Sequence, residues 1–237
     1  MKIKIIAVGS TKLQRLLRRW GVSFLIGEDV LFDTFGDPAV FARNLRRFRV
    51  DATKIRHVIV SHDDWDHIAG LGEVIAGRKE VSVYIWPGFK PEIKEKIAAF
   101  GVRLVEVGQL TRIKEGIFSS GQMRADCGTR VVFEQAVVLK FLKSLTIITG
   151  CAHPGVIPIL EAVQKQFARE TVTALIGGFH LKDNPPQMNF QIITALRRAG
   201  LRKIVPLHCT GAAAVRMISE MFGRRCVRAR EGDTIDI

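Results

Sequence analysis

His62-Asp63-Asp64-Trp65-Asp66-His67 puts four metal-binding side chains, those of His62, Asp64, Asp66 and His67, into one short stretch. The preceding run, Ile55-Arg56-His57-Val58-Ile59-Val60-Ser61, reads as a strand that delivers this cluster to a loop. Ile68-Ala69-Gly70-Leu71 opens an apolar pattern that predicts a helix continuing to about Ala76. Imidazole and carboxylate donors at the carboxyl end of a strand suit a hard or borderline divalent cation. A solvated acidic loop accounts for Asp63 but gives no reason for two histidines bracketing carboxylates. Residues two apart on an extended loop point the same way, so His62, Asp64 and Asp66 are expected to converge.

Three more apolar runs end in a histidine loop. Leu145–Ile148 leads to Thr149-Gly150-Cys151-Ala152-His153-Pro154-Gly155, and Leu175-Ile176 leads to Gly177-Gly178-Phe179-His180-Leu181. Val205-Pro206-Leu207 leads to His208-Cys209-Thr210-Gly211. Of the 6 histidines in the chain, all but His57 therefore follow a strand end. His57 lies inside the strand before the metal loop and reads as a structural histidine. Thr210 and Gly211 read either as a helix N-cap or as backbone N–H donors toward an anion.

Ser61-His62-x-Asp64-x-Asp66-His67 resembles the His-x-His-x-Asp-His signature of the metallo-β-lactamase superfamily, with Asp64 in place of the second histidine. Leu31-Phe32-Asp33-Thr34 resembles the strand-end Asp motif of the same superfamily, whose carboxylate orients the metal loop without binding metal. The Cys-x-His-Pro-Gly, Gly-Gly-Phe-His-Leu and His-Cys-Thr-Gly set is similar to one branch, the dihydropterin-ribofuranosyl-aminobenzene-phosphate synthase-like proteins. The resemblance runs from about Met1 to Ile237 and implies an α/β (α+β) fold, a four-layer αββα sandwich in one domain spanning residues 1–237.

By the same resemblance, His62, Asp64 and His153 hold one metal ion, and Asp66, His67 and His208 a second. Asp66 also orients the nucleophile or carries its proton. The chain departs from the superfamily where a bridging Asp is usual and Gly177-Gly178-Phe179-His180 stands instead, which leaves three outcomes: His180 binds one metal, His180 touches the substrate as an acid or hydrogen-bond donor, or only one ion binds tightly. The cofactors are one or two divalent metal ions, zinc first, with iron and manganese as the alternatives that an oxygen-rich set allows. The implied activity is a metal-dependent hydrolase acting on an ester, phosphoester or lactone. A transferase or condensing enzyme on a phosphorylated pterin precursor is the alternative. A basic nucleic-acid-binding module with a structural metal is a third reading, but structural zinc sites are closed and thiolate-rich.

A chain of 237 residues that is 47% hydrophobic can bury a full core. No run approaches the ~18–20 apolar residues of a membrane span. The start, Met1-Lys2-Ile3-Lys4-Ile5-Ile6-Ala7-Val8, alternates like a strand and lacks a cleavable leader pattern. Cys127, Cys151, Cys209 and Cys226 show no Cys-x-x-Cys spacing, which fits reduced thiols in a cytoplasmic protein. The net charge of +13 is clustered at Arg15, Arg18 and Arg19, at Arg43, Arg46, Arg47 and Arg49, and at Arg224, Arg225, Arg228 and Arg230. It favours a small anionic substrate, with nucleic acid as the lesser alternative and a solvated surface as the plain one. Asp37-Pro38 predicts a helix start. Val102–Val107 reads as the first strand of a second sheet half, and residues 225–228 and 234–237 as short closing strands.

Overall fold

The alternating start of the chain forms β1 (Lys2–Gly9) in a computed structural model that describes residues 1–128 and 130–237. Those residues divide into two units, Met1–Gly108 with Arg230–Ile237, and Gln109–Ala229.

In the first unit a short helix, α1 (Lys12–Leu16), separates β1 from β2 (Gly21–Ile26). Its start carries a capping box, in which the side chains of Thr11 and Gln14 reciprocally satisfy exposed backbone donors. β1 and β2 pair antiparallel, and β2 forms the expected hairpin with β3 (Val30–Phe32). The C-terminal strand, Thr234–Asp236, adds antiparallel to the other edge of β1.

Pairing then becomes parallel through β4 (His57–Ile59), β5 (Ser82–Ile85) and β6 (Arg103–Glu106). Helical crossovers make this possible, since parallel neighbours cannot be joined by a tight turn. The first is α2 (Pro38–Arg47), where Asp37 caps the start by accepting from Val40 N, and Val40, Phe41 and Leu45 are buried. The second contains two one-turn helices, α3 (Trp65–Ile68) and α4 (Gly72–Ile75), in place of the single helix expected as far as Ala76. The break falls at Gly70, whose N–H turns away to Phe35 O and whose α-carbon lies against Thr34 O, too close for any side chain. The third is α5 (Pro91–Ala98), and it leads β6 back to β5. β6 therefore belongs to the first sheet, correcting its expected place in the second half.

The second unit runs through β7 (Thr111–Lys114), β8 (Ile117–Ser119), β9 (Met123–Asp126), β10 (Val131–Glu134), β11 (Val137–Phe141), β12 (Ser144–Thr149), β13 (Thr171–Gly178) and β14 (Lys203–Leu207). β9 and β10 form a separate antiparallel ribbon. The other six form one sheet in the order β14-β13-β12-β11-β8-β7. β12, β13 and β14 are parallel neighbours, linked by α6 (Val156–Gln166) and α7 (Pro186–Arg198). α8 (Ala212–Phe222) follows β14. Val156, Ile159 and Val163 from α6, Ile193 and Leu196 from α7, and Ile218 and Phe222 from α8 share one core with Leu145, Ile147, Leu175 and Ile204. Residues 225–228 do not form the expected strand. A single turn at Gly223–Arg225 is followed by one isolated bridge, Ile204 to Cys226.

Candidate metal centre

In the first unit the predicted ligand residues gather around the start of α3. His62 and His67 are fully buried, Asp66 nearly so, and the two imidazole rings lie 4.1 Å apart between centroids. His62 Nε2 is 3.6 Å from Asp64 Oδ2, and His67 Nε2 is 3.4 Å from Asp66 Oδ2. Strand parity is not what brings them together. Asp64 is the extended residue before α3, whereas Asp66 and His67 already lie in its first turn. The helix thus turns Asp66 and His67 toward the same region, which corrects the expectation of an extended loop.

The rear of the cluster fixes the tautomers. Asp33 Oδ1 accepts from Ser61 N at 2.7 Å, and Asp33 Oδ2 accepts from Ser61 Oγ at 2.7 Å. Because Ser61 spends its one hydroxyl proton on Asp33, its oxygen accepts from His62 Nδ1 at 2.8 Å. His67 Nδ1 donates to Asp33 Oδ2 at 2.6 Å. Both rings are thereby held from behind through Nδ1–H, with Nε2 turned toward a carboxylate. This is the arrangement that orients histidine as a metal ligand. Asp33 itself is buried behind the rings, in the orienting position expected of it.

Electrostatics agree. Burial pushes the Asp33 carboxyl above the usual carboxylate range, against the opposing pull of His67 and the Ser61 hydrogen bonds. Burial pulls His67 down, yet the charges of Asp33 and Asp66 outweigh it and hold the imidazolium well above its ordinary value. Without metal the pocket retains a proton. His67 would hold a cation through Nε2 in place of that proton while keeping Nδ1–H on Asp33.

In the second unit, three loops leave the carboxyl ends of the adjacent parallel strands β12, β13 and β14. Register places Thr149 beside Gly177 and Gly178 beside Leu207, so His153, His180 and His208 emerge at one edge of the sheet. The His153 and His180 rings are 4.6 Å apart. The His180 imidazole is held below its ordinary pKa, first by burial and then by His153. His208 is buried in a one-turn helix, His208–Thr210. Thr210 is not a helix cap. Its hydroxyl donates to Leu207 O at 2.6 Å and accepts from Phe179 N at 3.1 Å, tying the His208 loop to the His180 loop. Cys209 Sγ donates to Cys151 O at 3.4 Å, joining the third loop. Gly178 makes this contact fit, since a β-carbon there would stand 2.4 Å from Gly150 O and 2.7 Å from Cys209 Sγ.

One residue of this half was not anticipated. Glu134, buried at the end of β10, accepts from Cys151 N at 2.8 Å, Ala152 N at 2.9 Å and His153 N at 2.9 Å. Its Oε2 also accepts from His153 Nδ1 at 2.9 Å, giving His153 the same tautomer as the two histidines of the first unit. A carboxylate inside the apolar run Val131–Leu139 was the available signal, because a buried charge requires partners. Backbone strain falls on the same loops. Asp33 (φ 58°), Ala152 (φ 61°), His180 (φ 52°) and His208 (φ 49°) are all in the left-handed region. Each costs about 1–3 kcal/mol, and such strain concentrates at functional sites.

Comparison with known proteins agrees with these features. The family model described as a beta-lactamase superfamily domain matches residues 28–132. The 7,8-dihydropterin-6-methyl-4-(beta-D-ribofuranosyl)-aminobenzene-5'-phosphate synthase of Methanocaldococcus jannaschii is 29% identical over 265 residues, covering 91% of this chain and 89% of that protein. Among solved structures, a metal-dependent hydrolase of the beta-lactamase superfamily matches with a TM-score of 0.81 at 22% identity, covering 100% of this chain and 99% of that one. The metallo-beta-lactamase fold protein YhfI of Bacillus subtilis matches with a TM-score of 0.71 at 15% identity, covering 99% of each chain. Among the described residues no helix is long and apolar enough to cross a membrane. With its strand-end loops, its modified signature at His62–His67 and these likenesses, the chain has the metallo-β-lactamase fold and is similar to the proteins of that superfamily.

Proposed function

We propose that the protein is a metal-dependent hydrolase of a small anionic ester, phosphoester or lactone. The observation that carries this reading is the shared tautomer of His62, His67 and His153, each held through Nδ1 by Ser61, Asp33 or Glu134. Nitrogen and oxygen donors in this number fit a borderline divalent cation, zinc first and iron or manganese next. We assign His62, Asp64, Asp66, His67, His153 and His208 as ligands, and His180 as a further ligand or a substrate contact. That the two units contribute to one centre of one or two ions is what the superfamily resemblance implies. When bound, such ions polarise a substrate oxygen and lower the pKa of water. Asp66 orients the nucleophile and takes up its proton. His180, neutral near pH 7 because burial and His153 hold its pKa down, donates a hydrogen bond to the substrate or leaving group.

The synthase name of the Methanocaldococcus jannaschii relative favours a second reading. In it the same residues would stabilise an oxyanion during condensation on a phosphorylated pterin precursor. Zinc- or manganese-dependent cleavage of bis(4-nitrophenyl) phosphate and of a small lactone tests the first. Activity that appears with added metal and vanishes in a folded Asp66→Ala variant supports it. Full activity in that variant refutes the role of Asp66. No turnover of either compound by the metal-loaded protein refutes the hydrolase.

A further inference from the structure

The segment between β1 and β2 is the most exposed apolar surface of the first unit. Leu13, Leu16 and Leu17 are 65%, 80% and 52% exposed, and α1 buries none of its residues. Lys12, Arg15, Arg18 and Arg19 are interleaved with them. A surface turn kept for solubility has no use for three solvated leucines spaced i, i+3 and i+4, which share one face.

The segment is anchored at its base. Trp20 is buried, its carbonyl accepts from Gly36 N at 3.0 Å, and Arg19 pairs with Asp37 at 3.4 Å. Just before that base, Arg18 reaches the metal loop. The Arg18 guanidinium lies 4.8 Å from the centre of the Trp65 ring, and Trp65 stands between Asp64 and Asp66 and is itself 36% exposed. Arg18 holds a left-handed backbone, φ 55°, at a helix end where glycine is the usual occupant. Arg15 lies 5.9 Å from the Trp20 ring centre. Among the described residues neither Arg15 nor Arg18 has a carboxylate in ion-pair range. Stacking on an aromatic face orients a guanidinium while leaving its N–H edge able to donate.

We propose that residues 12–20 form a substrate-recognition arm for the metal centre. Arg18, supported by Arg15, binds the phosphate or other anionic group of the substrate, and Leu13, Leu16 and Leu17 cover an apolar or aromatic body. The substrate class is thus an amphiphilic anion, such as an aryl phosphate ester. The assignment rests on the metal-centre reading above. Charge complementarity selects this occupant, since an uncharged apolar partner leaves two unpaired arginines without purpose.

Calorimetric binding to the zinc-loaded protein tests the arm with two probes, 1-naphthylmethylphosphonate, which has no scissile ester bond, and neutral 1-naphthol. The readout is the ratio of their affinities. Charge-assisted bonds from arginine predict that Arg15→Ala/Arg18→Ala lowers this ratio by about tenfold or more. Leu13→Ser/Leu16→Ser/Leu17→Ser weakens both probes alike and keeps the ratio. Unchanged zinc content and circular dichroism exclude loss of the fold as the cause. An unchanged ratio in the arginine variant overturns the proposal, as does absence of phosphonate binding by the parent protein. Sedimentation of the parent protein with phosphatidylserine vesicles, lost in the leucine variant while its phosphonate binding stays intact, also overturns it in favour of a membrane contact. Phosphonate binding with the expected ratios but no turnover of bis(4-nitrophenyl) phosphate sinks the hydrolase reading alone.

Discussion

Asp33 shows how much of this site depends on groups that would never touch a metal. It is buried, accepts two hydrogen bonds from Ser61 and holds His67 through Nδ1. Its removal strands His67 and the Ser61 N–H, so Asp33→Ala should cost the metal-free protein about 3–5 kcal/mol, read from urea unfolding. The pH dependence has a definite sign. Both folded-state shifts are upward, for His67 from 6.5 and for Asp33 from 3.8. The folded chain therefore binds these protons more tightly than the unfolded one. The stabilisation from His67 is complete below about pH 6.5 and is lost as pH rises through its elevated folded value. Metal-free protein should accordingly lose stability above neutrality, and Asp33→Ala should flatten that slope. At this scale the sequence was most informative where motif and chemistry coincide, at His62, Asp64, Asp66 and His67. Glu134 escaped because its partners are backbone amides of a loop 17–19 residues further on, which no local pattern records. Glu134→Gln keeps the shape but loses the charge on His153. It should weaken zinc binding about 10–100-fold, measured against a competing chelator, with the circular dichroism unchanged.

Strand ends position the site, and its elements were legible to the extent that their periodicity was regular. The Asp37 cap, the Val30 hairpin and the existence of β12, β13 and β14 as strands all follow from local pattern. β6 was assigned to the wrong sheet because periodicity gives a strand but not its partner; α5 returns the chain alongside β5. The helix after the metal loop was expected to be continuous because apolar spacing alone does not show that Gly70 is pressed against Thr34 O. A similar close approach fixes the metal loop from the other side. Gly21, at the start of β2 with φ 104°, lies so near Asp66 that a β-carbon would stand 1.8 Å from its carbonyl oxygen. Backbone cannot yield there as a flexible side chain could. Gly21→Ala should therefore destabilise the protein by about 1–3 kcal/mol through overpacking alone. It should also lower metal content at equilibrium, since Asp66 must move; thermal unfolding and elemental analysis read the two effects separately.

Charge and metal act on the molecule as a whole. At +13 the protein attracts anions over distances that no single contact spans, and salt screens that attraction, with a Debye length of about 10 Å at 0.1 M and 3 Å at 1 M. If steering contributes, kcat/KM for an anionic ester should fall by about tenfold as sodium chloride rises across that range, while a neutral lactone is little affected. Equal salt effects on both would make the charge a matter of solubility. Metal removal examines the other long-range claim. A ligand bound at a thousand times its dissociation constant stabilises the folded state by about 4 kcal/mol, so chelation should lower the unfolding midpoint visibly. The pattern of the loss is more informative than its size. His62–His67 belong to one unit and His153, His180 and His208 to the other. If both sets serve one centre, a chelator should accelerate amide exchange in the 62–67 loop and in the 151–153 and 208–210 loops together, and zinc should restore all three. Exchange that changes in one unit alone would assign the metal to that unit and leave the other histidines a structural role.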